Sequence, residues 1–64
     1  MNYISTNKLL FFIESYIRTA LYDLNVAQLQ GKFKEESFYN GQIFALEKLS
    51  KLLNLNIDVD KLKL

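Results

Sequence analysis

The chain reads as an all-α protein: an antiparallel helical hairpin that self-associates into a helical bundle and ends in a short extended or one-turn tail. Three observations predict this. Two long stretches repeat apolar residues at alternating spacings of three and four, the mark of an amphipathic helix. Proline is absent, and Gly31, one of only two glycines, falls between the stretches. The third is size: a domain of 64 residues buries only about 60% of the surface its unfolded chain exposes. Such small folds lean on disulfides, metals or association. Cysteine and histidine are both absent, so association is the remaining route.

The first helix is expected over residues 7–30. Ser5, Thr6 and Asn7 precede it and supply side-chain oxygens for the orphan N–H groups of a helix start. Met1 to Ser5 form a short, partly β-prone lead with Tyr3 and Ile4. Gly31 suits the position just past a helix end, where a left-handed backbone is cheap only without a Cβ. Lys32, Phe33 and Lys34 make a short connection, so the two helices lie as antiparallel neighbours.

The second helix is expected over residues 35–54. Glu35 and Glu36 suit its first turn, at the positive end of the helix dipole. Residues 55–64 form the tail. Leu55, Ile57 and Val59 alternate with Asn56, Asp58 and Asp60, which favours a short strand. The other reading is a last helical turn through Leu64, capped by Asp58. The whole forms one domain.

The inner seam of the first helix is Leu10, Ile13, Ile17, Ala20, Leu24 and Ala27, widened by Leu9, Tyr16 and Leu21. On the second it is Tyr39, Gln42, Leu46, Leu49 and Leu53, flanked by Phe38, Ala45 and Leu52. Folding about Lys32 and Phe33 brings Ala20 near Ala45 and Ile13 near Leu52, with Gly41 also admitting a close approach. Gln42 is the polar member of the seam. It either fixes register or partner, as a buried amide can, or lies at the rim and reaches water.

A second apolar stripe lies on the opposite side of the first helix: Phe11, Tyr22, Val26 and Leu29, with Phe33 beyond it. Ile43 and Phe44 lie off the seam of the second helix. One partner helix cannot cover both sides of another. These seven residues are therefore the expected interface, for further copies of the chain or for a protein partner.

Composition narrows the function. Hydrophobic residues make up 50% and aromatics 14% of the chain, too apolar for disorder. The formal net charge of +1 gives no global pull toward nucleic acid or anionic lipid. The longest apolar run, Leu9 to Ile13, is too short to span a bilayer, and no leader pattern opens the chain, so a cytoplasmic location is expected. Glu14 with Arg18 and Glu47 with Lys51 are helix-surface pairs at i, i+4. Lys32, Lys34, Lys48 and Lys51 could form a basic edge, with Lys61 and Lys63 on the tail, but Glu35, Glu36 and Glu47 interleave with them. Glu35, Glu36 and Glu47 are also the only carboxylates suggesting metal or acid–base work, and the Glu-x-x-His of di-iron bundles needs a histidine. No catalytic residue, cofactor or metal is expected.

The stretch Tyr39-Asn40-Gly41-Gln42-Ile43-Phe44-Ala45-Leu46-Glu47-Lys48-Leu49 resembles a pattern in small phage and prophage proteins: aromatic, any, Gly, any, Ile, any, Ala-Leu-Glu. That resemblance implies an accessory helical hairpin that modulates a host or phage partner, in the host cytoplasm. Ile13-Glu14-Ser15-Tyr16, with Arg18 and Leu24-Asn25, resembles the first helix of the sporulation histidine-kinase inhibitor hairpin; the second helix and tail differ. The layout is also similar to sporulation aspartyl-phosphate phosphatase hairpins. Their Ser-Gln-Glu-Leu-Asp signature is missing, and Ala45, in the nearest stretch, cannot act as their Asp. The resemblances imply regulation by contact. The expected function is thus a non-enzymatic, oligomeric hairpin that binds and modulates a protein partner as a regulator or inhibitor; the alternative is a small nucleic-acid-associated regulator.

Overall fold

The computed structural model describes residues 5–63. The expected β-prone lead at Tyr3 and Ile4, and Leu64 at the end of the tail, lie outside the described residues. Three helices follow in order: α1 (Thr6–Leu29), α2 (Phe33–Leu52) and α3 (Val59–Leu62). Helices α1 and α2 pack as a hairpin and α3 folds back onto α1. The molecule measures 44 × 21 × 18 Å, and its long axis is set mainly by α1, about 36 Å of helix at 1.5 Å per residue.

The start of α1 is capped as expected: the Ser5 hydroxyl accepts from the Lys8 N–H at 3.1 Å. Its end is a complete Schellman motif. Gly31 takes φ 67°, its N–H donates to the Gln28 carbonyl at 3.2 Å, and the Lys32 N–H donates to the Ala27 carbonyl at 2.9 Å. These bonds satisfy carbonyls that α1 would otherwise leave unpaired and reverse the chain within three residues. Phe33, expected in the connection, therefore opens α2, two residues ahead of the expected start at 35.

That earlier start shifts the register. Across the turn the Gln28 side-chain amide donates to the Glu36 carboxylate at 3.3 Å. Counting away from this bond along both helices brings Ala20 level with Phe44 and Ile13 level with Lys51, so that the buried Ile43 and Ser50 stand beside them. Ala45 and Leu52, the expected neighbours, are exposed. The buried row of α1 is the one expected: Ile13, Ile17, Ala20 and Ala27 are buried, with Leu10 and Leu24 half-buried. On α2 the inward row is Glu36, Tyr39, Ile43, Leu46 and Ser50 rather than Tyr39, Gln42, Leu46, Leu49 and Leu53. Ser50 is 1% exposed, and its hydroxyl donates to the Glu47 carbonyl at 2.7 Å. It is the small residue of α2 that lies against α1, the part expected of Ala45. Gly41 does not serve close approach, because a Cβ built there meets nothing within 4 Å.

The tail is not a strand. A lone extended segment has no neighbour to pair its backbone groups. The chain instead turns at Asn54 and closes a helical turn at α3, where the Asp58 carboxylate accepts from the Asp60 N–H at 3.0 Å. The alternation of Leu55, Ile57 and Val59 serves packing. Leu55 is buried with Ile13 and Ile17, and Ile57, Val59 and Leu62 press on the same cluster.

Candidate interaction surface

The tail gives the hairpin two unlike flanks. Leu55 to Lys61 share a shallow groove with Leu21 and Leu24 of α1 and with Ile43, Phe44, Glu47 and Lys51 of α2. That is the flank the tail covers. Residues advance about 100° apiece around a helix, so the other flank of each inner row carries Phe12 and Tyr16 on α1. On α2 it carries Phe38, Gln42, Ala45, Leu49, Leu52 and Leu53. All of these are exposed.

The seven residues expected at an interface divide among three environments. Phe11, Tyr22, Leu29 and Phe33 are 62–81% exposed. The first three run along the side of α1 turned away from α2, and Phe33 continues past the turn. Val26 belongs to this side but is half-buried, because Tyr22, Leu29 and Gln30 stand one turn away on either side of it. Ile43 is buried, 9% exposed, because it belongs to the inward row of α2. Phe44 is exposed on the tail side, where the Lys48 ammonium stands 4.9 Å from its ring centre, a cation–π contact worth about 0.5–1 kcal/mol at an exposed site.

Gln42 is exposed rather than held in the hairpin seam, so its amide reaches solvent in the isolated chain. Phe12 was not singled out from the sequence, although its ring lies 6.1 Å from that of Phe11. The signal that would have found the bare flank is the row Phe38, Gln42, Ala45, Leu49 and Leu52. It keeps the three–four spacing one position behind the inward row.

Charge is dispersed. Lys48 stands on Phe44, while Lys51 lines the tail groove together with Glu47, Asp58 and Asp60. Neither Glu14–Arg18 nor Glu47–Lys51 closes as an ion pair; among the described residues Lys63 pairs with Asp60 at 3.2 Å, both exposed. Such a pair adds little stability. Among the described residues no three carboxylates gather as a metal site. No helix there is long and apolar enough to cross a membrane. Among the described residues the most prominent exposed features are apolar side chains. No protein family model, curated protein or solved structure matches the chain.

Proposed function

We propose that the chain is a non-enzymatic, self-associating helical hairpin that binds and modulates a protein partner, as a regulator or inhibitor of the accessory kind found in phages. The observation that carries this reading is the side of α1 turned away from α2, with Phe11, Tyr22 and Leu29 each more than half exposed and Phe33 beyond them. Large apolar side chains held in a row on a rigid helix are what an amphipathic groove or helix on a partner recognises. Arg18, exposed between Phe11 and Tyr22 on the same side, adds a charge that can orient the partner.

The test is a double variant, Tyr22→Lys with Leu29→Lys. Both side chains are exposed, so the fold should lose no more than about 0.5 kcal/mol per site. Burying each side chain in a complex contributes about 1.5–3 kcal/mol, so capture of the parent's partner should weaken about a hundredfold or more. Circular dichroism should show unchanged helicity. Equal capture of the same partner by parent and double variant would remove this side from the binding surface.

A further inference from the structure

We infer that residues 56–63 form a strap, hinged just past Leu55, that detaches from the hairpin while α1 and α2 stay folded. Its departure bares the part of α1 that it covers. The inference holds whether or not the chain self-associates or binds the partner proposed above.

The chain is tied down as far as Leu55. The Leu55 N–H donates to the Ser50 carbonyl at 2.8 Å, and the Leu55 side chain is 7% exposed. Past Leu55 the bonding turns inward on the strap itself. The Asp58 carboxylate accepts from the Asp60 N–H at 3.0 Å, the Lys61 N–H donates to the Asp58 carbonyl at 3.1 Å, and Lys63 pairs with Asp60 at 3.2 Å. Among the described residues no hydrogen bond or ion pair runs from residues 56–63 to α1 or α2. Detachment therefore breaks no polar contact with the hairpin, and the strap keeps its own.

Apolar packing of three side chains holds the strap in place. Ile57, Val59 and Leu62 press on Ile13, Ile17 and Leu55. Each of the three is half-buried, and the strap residues between them are exposed. A half-buried side chain contributes only part of its burial energy, whereas fixing the backbone costs conformational entropy at every residue. Open grooves flank the strap. One of about 730 Å³ lies between it and Leu24, Ile43 and Phe44. Another of about 520 Å³ separates Leu62 and Lys63 from Tyr22 and Asn25. Atoms that face such gaps forgo the dispersion contacts of a close-packed interior.

The hairpin has ties of its own. Ala20, Ala27, Ile43 and Ser50 are buried outside the cluster of Ile13, Ile17 and Leu55. The turn at Gly31 and the Gln28–Glu36 bond involve no strap residue. A weakly held segment on a better-held scaffold opens by itself, at a lower cost than global unfolding. Opening exposes Ile13 and Ile17, which are 5% and 0% exposed under the closed strap. The strap thus sets how often this part of α1 is accessible.

A protease that cleaves before aspartate reads the opening in the intact chain. Asp58 and Asp60 lie in the strap, and Asp23 lies well inside α1. Cleavage of a transiently opened segment follows the population of its open form. Initial rates at the three bonds are followed by mass spectrometry across a series of low urea concentrations. The surface exposed on opening sets the urea dependence. Cleavage before Asp23 should therefore accelerate steeply with urea, while cleavage before Asp58 and Asp60 should start faster and change little. Leu62→Ser should speed cleavage before Asp58 and Asp60 by about fivefold and leave the helical circular dichroism of α1 and α2 in place. Parallel acceleration of all three bonds with urea, or loss of helicity in Leu62→Ser, would make strap and hairpin one cooperative unit and overturn the inference. Unchanged cleavage before Asp58 and Asp60 in Leu62→Ser would overturn it as well, because the apolar contacts would then not be what holds the strap closed.

Discussion

Two residues reverse the chain, and they do so by the same means. Gly31 and Asn54 both adopt positive φ, 67° and 57°, and both stand just past a helix end. At Asn54 the bonds repeat those at Gly31. The Asn54 N–H donates to the Lys51 carbonyl at 3.1 Å, and the Leu55 N–H to the Ser50 carbonyl at 2.8 Å. An L-residue in the left-handed region pays about 1–2 kcal/mol, which Asn tolerates best among those with a Cβ. Asn54→Gly should therefore hold or slightly raise stability, whereas Asn54→Val should lower it by about 1–2 kcal/mol. Urea unfolding followed by circular dichroism measures both; equal midpoints for the Gly and Val variants would show that the turn does not depend on this conformation.

At the scale of the element, α2 is a helix with two usable faces. Its inward row includes Glu36 and Ser50, polar residues that interrupt the apolar pattern, while Leu49, Leu52 and Leu53 lie outside that row. The face that looks most apolar in the sequence is therefore only partly the face that packs on α1. Substitutions distinguish the two assignments. Gly41 lies in the interior of α2 with open space around its missing Cβ, so Gly41→Ala should stabilise the hairpin by up to about 1 kcal/mol through helix propensity. Ser50 is buried in the hairpin contact, so Ser50→Leu should destabilise it by about 1–3 kcal/mol through overpacking. Thermal unfolding of both variants checks the register; a destabilised Gly41→Ala would mean that α1 approaches α2 at Gly41 after all.

For the whole molecule, the core is small and the tail is part of it. Leu55 is 7% exposed and shares its cluster with Ile13 and Ile17. Truncating a buried leucine costs about 2–5 kcal/mol, against a total stability of roughly 3–10 kcal/mol for a chain of this length. Leu55→Ala should leave a large fraction of the chain unfolded at 37 °C. Leu29→Ala, at a side chain 81% exposed, should change stability by no more than about 0.5 kcal/mol. Amide hydrogen exchange in α1 reads the difference directly. Protection around Ile13 and Ile17 unaffected by Leu55→Ala would mean that the tail merely rests on the hairpin.

Local chemistry was legible without coordinates. The Ser5 cap, the helical course of α1, its buried row and the reversal at Gly31 each depend on residues within one or two turns of each other, so periodicity and capping suffice. Gln42 could be read either way, and in the hairpin it is exposed. What the tertiary structure alone decided is rotation and register. The bonds that close the turn at Lys32 start α2 two residues early, and the inward row of α2 keeps Tyr39 and Leu46 but is turned by less than the 100° step between successive residues. Ile43 thereby moved from the expected interface into the core, Ala45 moved from the core to the surface, and Ser50 took the close contact. The tail's choice of a helical turn over a strand was decided in the same way. Alternating apolar residues suit either state, and only the absence of a neighbouring strand, with an apolar cluster at Ile13 and Ile17 to cover, selects between them.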